Sequence, residues 1–383
     1  MLGVGALVLA YCARYFREHE PRNAVFGGQL LAFAGAMFGL VTTDDLMVLY
    51  TFWEITSVLS FLLIGYSGHR IFARRSAITA LIVTTFGGLA MLAGLIMLAH
   101  FAGSWRISGV LAAAPGLLAD DGGRVLLEVA VGLVLIGALT KSAQAPFHFW
   151  LPAAMAAPTP VSAYLHAAAM VKAGVFLVAR LAPEFHGLAM WQVLVIGVGL
   201  WTLLLGGWRA LRQTDIKLVL AYGTVSQLGF LMVANGLGTR DAAMAGLAML
   251  LAHAVFKAPL FMVVGIIDHE AGTRDLRQLS GIGRRHPALA AVAVVAGLSM
   301  AGLPPLFGFV AKESVLEGLA AHGVAHADVW GWTPLVLMTV GSVLTFAYTW
   351  RFLWGAFATK RTPEGAPVPA TRFHTRVTLS LIH

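Results

Sequence analysis

The 383-residue chain is 58% apolar and only 11% charged, with a mean hydropathy of +0.80, which is more apolar surface than a water-soluble core of this length can hide. Its formal charge of +8 and pI near 9.9 do not mark a nucleic-acid binder, because the lysines and arginines fall in short segments between apolar runs and form no patch. The single cysteine, Cys12, excludes an internal disulfide and any paired-cysteine metal or redox site, and the histidines are not arranged as facing haem ligands, so neither metal nor cofactor is expected.

Taken in order, apolar runs of about 20 residues, the length that crosses roughly 30 Å of hydrocarbon, predict an all-α polytopic membrane protein. About eleven transmembrane helices are expected, near 1–16, 25–42, 46–66, 77–101, 125–145, 159–181, 188–208, 215–236, 242–267, 287–317 and 333–357. The first run lacks the charged start, short core and cleavage site of a removable signal, so it reads as a span. Loop charges alternate as the positive-inside rule requires. Arg14, Arg17, Arg22, Arg70, Arg74, Arg75, Arg209, Arg212, Lys217, Arg274, Arg277, Arg284, Arg285, Lys360 and Arg361 fall on one side. Asp44, Asp45, Asp120, Asp121, Glu184, Asp241 and Asp328 fall mostly on the other. The chain would then begin outside and end in the cytoplasm of a bacterial cell, as a multi-pass plasma-membrane protein.

Two spans carry proline breaks beside a lysine. One is GLVLIGALTKSAQAPFHFWLP, with Lys141 and Pro146; the other is GLSMAGLPPLFGFVAKESVLEGL, with Pro304, Pro305 and Lys312. Lying an odd number of spans apart, they predict two inverted five-helix repeats, 25–181 and 188–357, each with a broken helix. A leading helix and loop, 1–24, lies outside both, and 358–383 reads as a cytoplasmic connector.

Ionisable residues inside apolar runs are expensive and mark function by default. Glu54, in LYTFWEITSVLSFLLIGY, is expected to pair with Lys141; the competing readings are an interfacial glutamate and a purely structural ion pair. His148, two residues past Pro146, is a further candidate, balanced against a loop histidine bonded to a freed carbonyl. His166 and Lys172 in one span would lie about 120° apart on a helix and reach different neighbours, with small residues such as Ala168, Ala169 and Gly174 allowing close packing. His253 and Lys257 are four apart and share a face, with Pro259 expected to kink the helix just after. Like charges at that spacing repel, so a neutral histidine beside the lysine is expected, a relay geometry. Lys312, near Glu313 and Glu317, is the last member, against an interfacial reading. Asp215 and Lys217 read as a helix cap at the cytoplasmic surface. No phosphate loop, zinc-protease motif or hydrolase elbow is present, so movement must run on ion gradients or a partner.

On these residues the chain resembles the antiporter-type proton-channel family shared by respiratory complex I, membrane hydrogenases and the multi-subunit Mrp sodium/proton antiporters. GALTKSAQAPFHFWLPAAMAAPTPVSAYLHAAAMVKAG and LAHAVFKAPLFMVVGIIDHEAGTRDL carry the likeness, which covers nearly the whole chain. FWEITSVLSFLLIGY, Lys172 in HAAAMVKAG and DHEAGTRDLRQLSGIG are most similar to the large A-type subunits of the Mrp antiporters; complex I counterparts generally lack a lysine at the Lys172 position. The resemblance implies that Glu54 and Lys141 gate a half-channel, that His166, His253 and Lys257 form the central axis, and that Lys312 is the terminal lysine of the second broken helix. It also implies fourteen core helices, so a piece lacking the first two helices and a long C-terminal part is expected.

The reading that follows is a proton-translocating subunit, not an enzyme, coupled to sodium export and held by other subunits of a hetero-oligomeric membrane complex. Its transported species are H+ and Na+, its surroundings are lipid, and no nucleic acid is involved. The competing reading is a proton-pumping subunit of complex I or a membrane hydrogenase; a third, a structural scaffold, would leave the buried charges without a purpose.

Overall fold

The computed structural model describes residues 1–16, 23–120, 122–326, 329–360 and 371. Among these, regular structure is helical, and the extended pairings are two isolated bridges, Asp45 with Arg106 and Asp215 with Asp275. The expected loop charges Arg17, Arg22, Asp121, Asp328 and Arg361, and nearly all of the connector 358–383, lie outside the described residues.

The chain opens with α1 (Leu2–Tyr15), α2 (Asn23–Thr42), α3 (Leu46–Ile64) and α4 (Ile71–Ala102), followed by a short α5 (Ile107–Ala119) that apolar run length does not predict between spans. Next come α6 (Arg124–Lys141), the short α7 (Trp150–Ala153), α8 (Thr159–Ala167) and α9 (Lys172–Phe185). The second half holds α10 (Ala189–Trp191), α11 (Val198–Leu211), α12 (Ile216–Gly236), α13 (Arg240–Ala271), α14 (Ile282–Arg285), α15 (Pro287–Ala301), α16 (Phe307–His326) and α17 (Val329–Phe357).

Eight helical stretches among the described residues are long and apolar enough to cross a membrane. The remaining expected spans fall on α1, fourteen residues long, on α6, and on the broken pair α15 and α16. Burial sorts the helices into layers. The stretch Thr159–Phe185 is 94% buried and α12 is 89% buried, whereas α2 and the α17 stretch are each only 33% buried. A helix that is apolar on every side and buried on every side belongs to the middle of a bundle, and one buried on a third of its surface faces lipid with the rest. The ionisable residues of the sequence therefore concentrate where lipid does not reach.

Helix continuity is where the structure departs from expectation. The span read as continuous from 159 to 181 is broken: α8 stops at Ala167, residues 168–171 form turns, and α9 starts at Lys172. His166 and Lys172 thus sit on separate helices, and an angle between them on one helix has no meaning. Nothing in HAAAMVKAG announces this break, because alanines are the best helix formers; it is imposed by packing. A Cβ on Gly174 would collide with the Ala138 carbonyl and the Ser142 hydroxyl, so α9 runs directly against the end of α6. Conversely α13 runs on as one helix through Pro259.

Several residues of the expected basic face come together. Arg70, Lys217 and Arg274 line one cavity, Arg274 pairs with Asp215 at 3.1 Å, and Lys360 donates to the Leu276, Leu279 and Gly355 carbonyls on the same face. At the opposite face Arg180 pairs with Asp44 at 3.1 Å and donates to the Thr43 carbonyl. There Asp44 also accepts from the Ser108 hydroxyl and backbone N–H, which fastens α5 to the start of α3.

This packing is open to two tests. A Cβ on Gly229 would stand 2.5 Å from the Gly199 carbonyl oxygen and 2.5 Å from the Leu203 nitrogen, both backbone atoms that cannot step aside. Gly229→Leu should therefore cost at least the upper end of the ~1–3 kcal/mol of ordinary overpacking, read as a lower melting temperature in detergent. The Asp44 carboxyl is held below its ordinary value of 3.8, chiefly by the Ser108 hydroxyl and then by Arg180. A depressed carboxyl stabilises the fold above its unfolded value and loses that contribution as pH falls through its folded value. Asp44→Asn should lower the melting temperature at pH 7, and the gap to wild type should close as the pH falls below 3.8 and through the lowered folded value.

Candidate functional site

A backbone carbonyl in a bundle interior has no water to bond, and a buried lysine has three N–H groups to place. In this structure the two needs meet repeatedly. Lys141, the last residue of α6, donates from Nζ to the Trp53 carbonyl at 2.6 Å and to the Ser57 hydroxyl at 2.8 Å, with its amine 4.9 Å from the centre of the Trp53 ring. Lys172, the first residue of α9, donates to the Leu250 carbonyl on α13 at 2.8 Å. Lys257 touches the Met300 sulfur at 3.5 Å. Lys312 donates to the Met300 and Ala301 carbonyls at 3.2 and 3.1 Å, two of the orphan carbonyls at the C-terminal end of α15. Lys312 thus lies buried at the second helix break.

These residues are buried almost without remainder: Lys141, His166, His253 and Lys257 are 0% exposed, and Lys172 and Lys312 are 5% exposed. Shared partners string them together. The Ser142 hydroxyl donates to the Val171 carbonyl at 2.7 Å, tying the break after α6 to the break before α9. His253 has Lys172 and Lys257 as its charged neighbours and approaches the Ala167 carbonyl. Met300 then gives its sulfur to Lys257 and its carbonyl to Lys312. The line runs from α3 through α6, α9, α13 and α15 to α16. His166 stands to one side, its ring 6.2 Å from Trp150 and 6.4 Å from Phe261, with Lys217 as its charged neighbour. Both ring nitrogens of His166 and of His253 lack hydrogen-bonding partners among the described residues.

Two expectations are corrected here. Glu54 and Lys141 are each other's charged neighbours, but not within 4.0 Å as a direct ion pair: the Lys141 amine hydrogen-bonds α3's backbone and Ser57. The glutamate side chain turns toward α4, where a Cβ on Gly88 would collide with its carboxylate, and its Oε1 is buried without a partner. Lys217 is not a surface cap. Asp215 does cap α12, accepting from the Lys217 and Leu218 N–H groups, but the Lys217 side chain is 2% exposed and donates to the Ala157 carbonyl at 2.7 Å. That carbonyl lies in extended chain just before α8, outside any helical ladder. The sequence does not announce this, because a lysine in the first turn of a membrane helix can equally extend its amine to the interface.

His148 is not brought into the row. It sits in the turn Phe147–Phe149, half-buried, with the Pro146 carbonyl and Arg209 as its polar neighbours. At the basic face a cavity of about 500 Å³ is lined by Tyr15, Tyr66, Arg70, Ala157, Lys217 and Asp268 among others. Lys217 therefore faces the cavity on one side and His166 on the other. No group of three or more His, Cys, Asp or Glu suited to a metal occurs among the described residues.

Residues 43–345 match the family described as NADH:quinone oxidoreductase/Mrp antiporter, TM. The chain belongs to this family. It is 47% identical over 355 residues to the A/B subunit of a probable K(+)/H(+) antiporter from Rhizobium meliloti, covering 92% of this chain and 35% of that protein. It is 44% identical over 383 residues to the A-type subunit of the Na(+)/H(+) antiporter from Alkalihalophilus pseudofirmus, covering 96% of this chain and 47% of the relative. Among solved structures the Mrp complex from Dietzia sp. DQ12-45-1b matches 94% of this chain and 39% of the matched chain at 40% identity, with a TM-score of 0.85. An archaeal respiratory complex, the membrane-bound sulfane sulfur reductase, shares the fold with a TM-score of 0.81 at 23% identity, over 99% of this chain and 76% of the other. The chain spans less than half the length of the antiporter subunits it matches.

The contact between Lys217 and the chain before α8 is testable on its own. Lys217→Met keeps the stem but leaves the Ala157 carbonyl buried and unbonded, which costs about 1–3 kcal/mol and should appear as a lower melting temperature of the purified protein.

Proposed function

We propose that this chain is the proton-translocating part of the large, A-type subunit of an Mrp antiporter, moving protons along Glu54, Lys141, His166, Lys172, His253, Lys257 and Lys312, in exchange for sodium exported by the complex. The observation that carries this reading is the way the lysines are held. Each sits on one or two neutral oxygens or a sulfur, and none on a carboxylate. A buried ion pair fixes both charges, because removing either proton strands the other group. A lysine on a carbonyl keeps a donor for that carbonyl whether it is charged or neutral, so it can lose and regain a proton in place. The cavity at the basic face, with Lys217 between it and His166, supplies a route from water on the cytoplasmic side.

The two-repeat organisation, 25–181 and 188–357, belongs to the same proposal, with the leading helix 1–24 outside both and 358–383 as connector. Asp45 and Asp215 cap α3 and α12 identically, each accepting from the second and third following N–H groups, and each takes part in an isolated bridge. The two caps lie on opposite faces. The helices that follow, α4 and α13, are both 32 residues long and both end at a left-handed glycine, Gly103 and Gly272. The partners we infer are the other subunits of a hetero-oligomeric complex in a bacterial plasma membrane. The relatives named for Na(+) and K(+) exchange make the cation a matter for direct measurement.

The test uses the full-length chain assembled with its partner subunits in everted vesicles. Lys141→Ala and Lys257→Ala should each cut sodium-driven proton release at least ~100-fold, while the complex still runs intact on a native gel. Undiminished antiport in both variants would refute the proposal. Parallel traces with potassium in place of sodium identify the exchanged ion.

A further inference from the structure

Lys257 has the poorest partner of the row. Its amine is fully buried and bonds a thioether, a weak acceptor for a charged donor. On the other side of the same amine lies a polar cluster shared by α12 and α17. A Cβ on Gly223 would stand 3.3 Å from Lys257 Nζ and 3.0 and 3.2 Å from Cε2 and Cζ of Tyr348. The missing side chain is thus what lets the amine and the phenol share one space. Tyr348 Oη donates to the Gly223 carbonyl at 3.4 Å and accepts from Gln227 Nε2 at 3.4 Å, both long bonds, and Gln227 Nε2 also donates to Thr345 Oγ1 at 3.0 Å. The remaining end of that amide, Gln227 Oε1, is buried and has no partner among the described residues. A full-strength acceptor thus stands idle in the cluster that Tyr348 shares with Gly223, and Gly223 borders the Lys257 amine.

The proposed repeats say what the cluster corresponds to. Gly223 and Gln227 stand eight and twelve residues beyond the cap Asp215, as Trp53 and Ser57 stand eight and twelve beyond the cap Asp45. In the first half the Trp53 carbonyl and the Ser57 hydroxyl hold Lys141. In the second half the matching carbonyl and side chain are those of Gly223 and Gln227, and Lys257, on another helix, brings its amine close to Gly223. Lys257 stands eighteen residues past the cap Thr239 of α13, where Gly88 stands eighteen past the cap Arg70 of α4.

We propose that Gly223, Gln227 and Tyr348 form a second docking station for the Lys257 amine. Lys257 alternates between Met300 Sδ, next to the carbonyls that hold Lys312, and Gln227 Oε1 with Tyr348 Oη. Only the amine moves, by rotation of its flexible stem, and no covalent bond changes. Gln227 and Tyr348 are positioning residues: they set where a protonated Lys257 waits before it faces Lys312. This rests on the proton-relay reading of the row. The titratable groups around Lys257 are His253 on its own helix, Lys312 across Met300 on α16, and Tyr348 on α17; α12 and α15 present Gly223, Gln227 and Met300, which do not titrate.

The experiment compares Tyr348→Phe, Gln227→Leu and Gln227→Glu with Lys257→Ala in the full-length assembled complex, measuring sodium-driven proton release against pH in everted vesicles. Tyr348→Phe and Gln227→Leu should lower the rate about tenfold near neutral pH, the size expected for losing a hydrogen bond to a charged group. The alkaline limb of their profiles should move to lower pH, while half-saturating sodium stays the same. Gln227→Glu, which replaces the neutral amide oxygen with a carboxylate, should hold the ammonium at the station, lowering the rate and moving the alkaline limb to higher pH. If Gln227→Leu does not assemble, Gln227→Glu and Tyr348→Phe decide: wild-type rates and profiles in both overturn the proposal. Antiport retained by Lys257→Ala would remove the relay reading and this station with it, whereas loss in Lys257→Ala beside unchanged Tyr348 and Gln227 variants would reject the station alone.

Discussion

A carbonyl oxygen freed from a helix inside a membrane protein must find a donor within the protein, and that constraint organises this chain. Its interior helices are interrupted after Lys141, between Ala167 and Lys172, and after Ala301. Side chains supply what the interrupted ladders lose. Ser142 bonds the Val171 carbonyl, the Trp150 indole bonds the Thr140 carbonyl at 2.9 Å, Thr202 accepts from the Ala145 N–H at 2.9 Å, and Lys312 takes the end of α15. At these broken ends the breaks and the buried polar residues are one feature seen twice. Removing Lys312 would strand carbonyls at the end of α15, whereas Lys141 and Lys172 bond carbonyls within the continuous helices α3 and α13.

This constraint explains which parts of the molecule were legible in the sequence. The membrane class, the order of the spans, the basic and acidic faces and the burial of Lys141, His166, Lys172, His253, Lys257 and Lys312 all follow from apolar run length and from the cost of a charge within it. Those signals are local. What escaped depends on contacts between distant segments. The break in HAAAMVKAG carries no proline or glycine at the point of rupture; it arises because Gly174 lets α9 press on the end of α6. The partner of Lys141 escaped for the same reason: pairing by charge pointed to Glu54, yet a carbonyl and a hydroxyl on α3 lie closer to the amine. Lys217 was misplaced because a helix cap and a buried side chain occur within three residues, and the Asp215 signal hid the other.

On the proposed two-repeat organisation, corresponding positions of the two halves carry different residues. In the first, an acid on α3 lies over a glycine on α4, and a lysine ends the broken helix. In the second, the place of the acid falls to Thr224, the place of the glycine to Lys257, and the end of the broken helix carries Met300 and Ala301. On that proposal, charged residues occupy different positions within a shared frame of capped helix, 32-residue helix and interrupted helix. The frame is what the packing needs; the distribution of amines within it is free to follow function.

That freedom bears on why the row is built from lysines held by neutral acceptors. A carboxylate partner would stabilise each ammonium more, but it would also fix the charge, since losing the proton would leave an unpaired anion in low dielectric. A carbonyl loses little when the ammonium becomes an amine, because the amine still donates to it. The surrounding structure therefore need not rearrange when a proton departs, and the energetic difference between occupied and empty states is kept small at each station. Of the lysines discussed, Lys257, on a sulfur alone, is held least, and it stands between His253 and Lys312. On the proposed relay, one member must be free to move between neighbours, and the weakest bond in the row falls at Lys257, between His253 and Lys312.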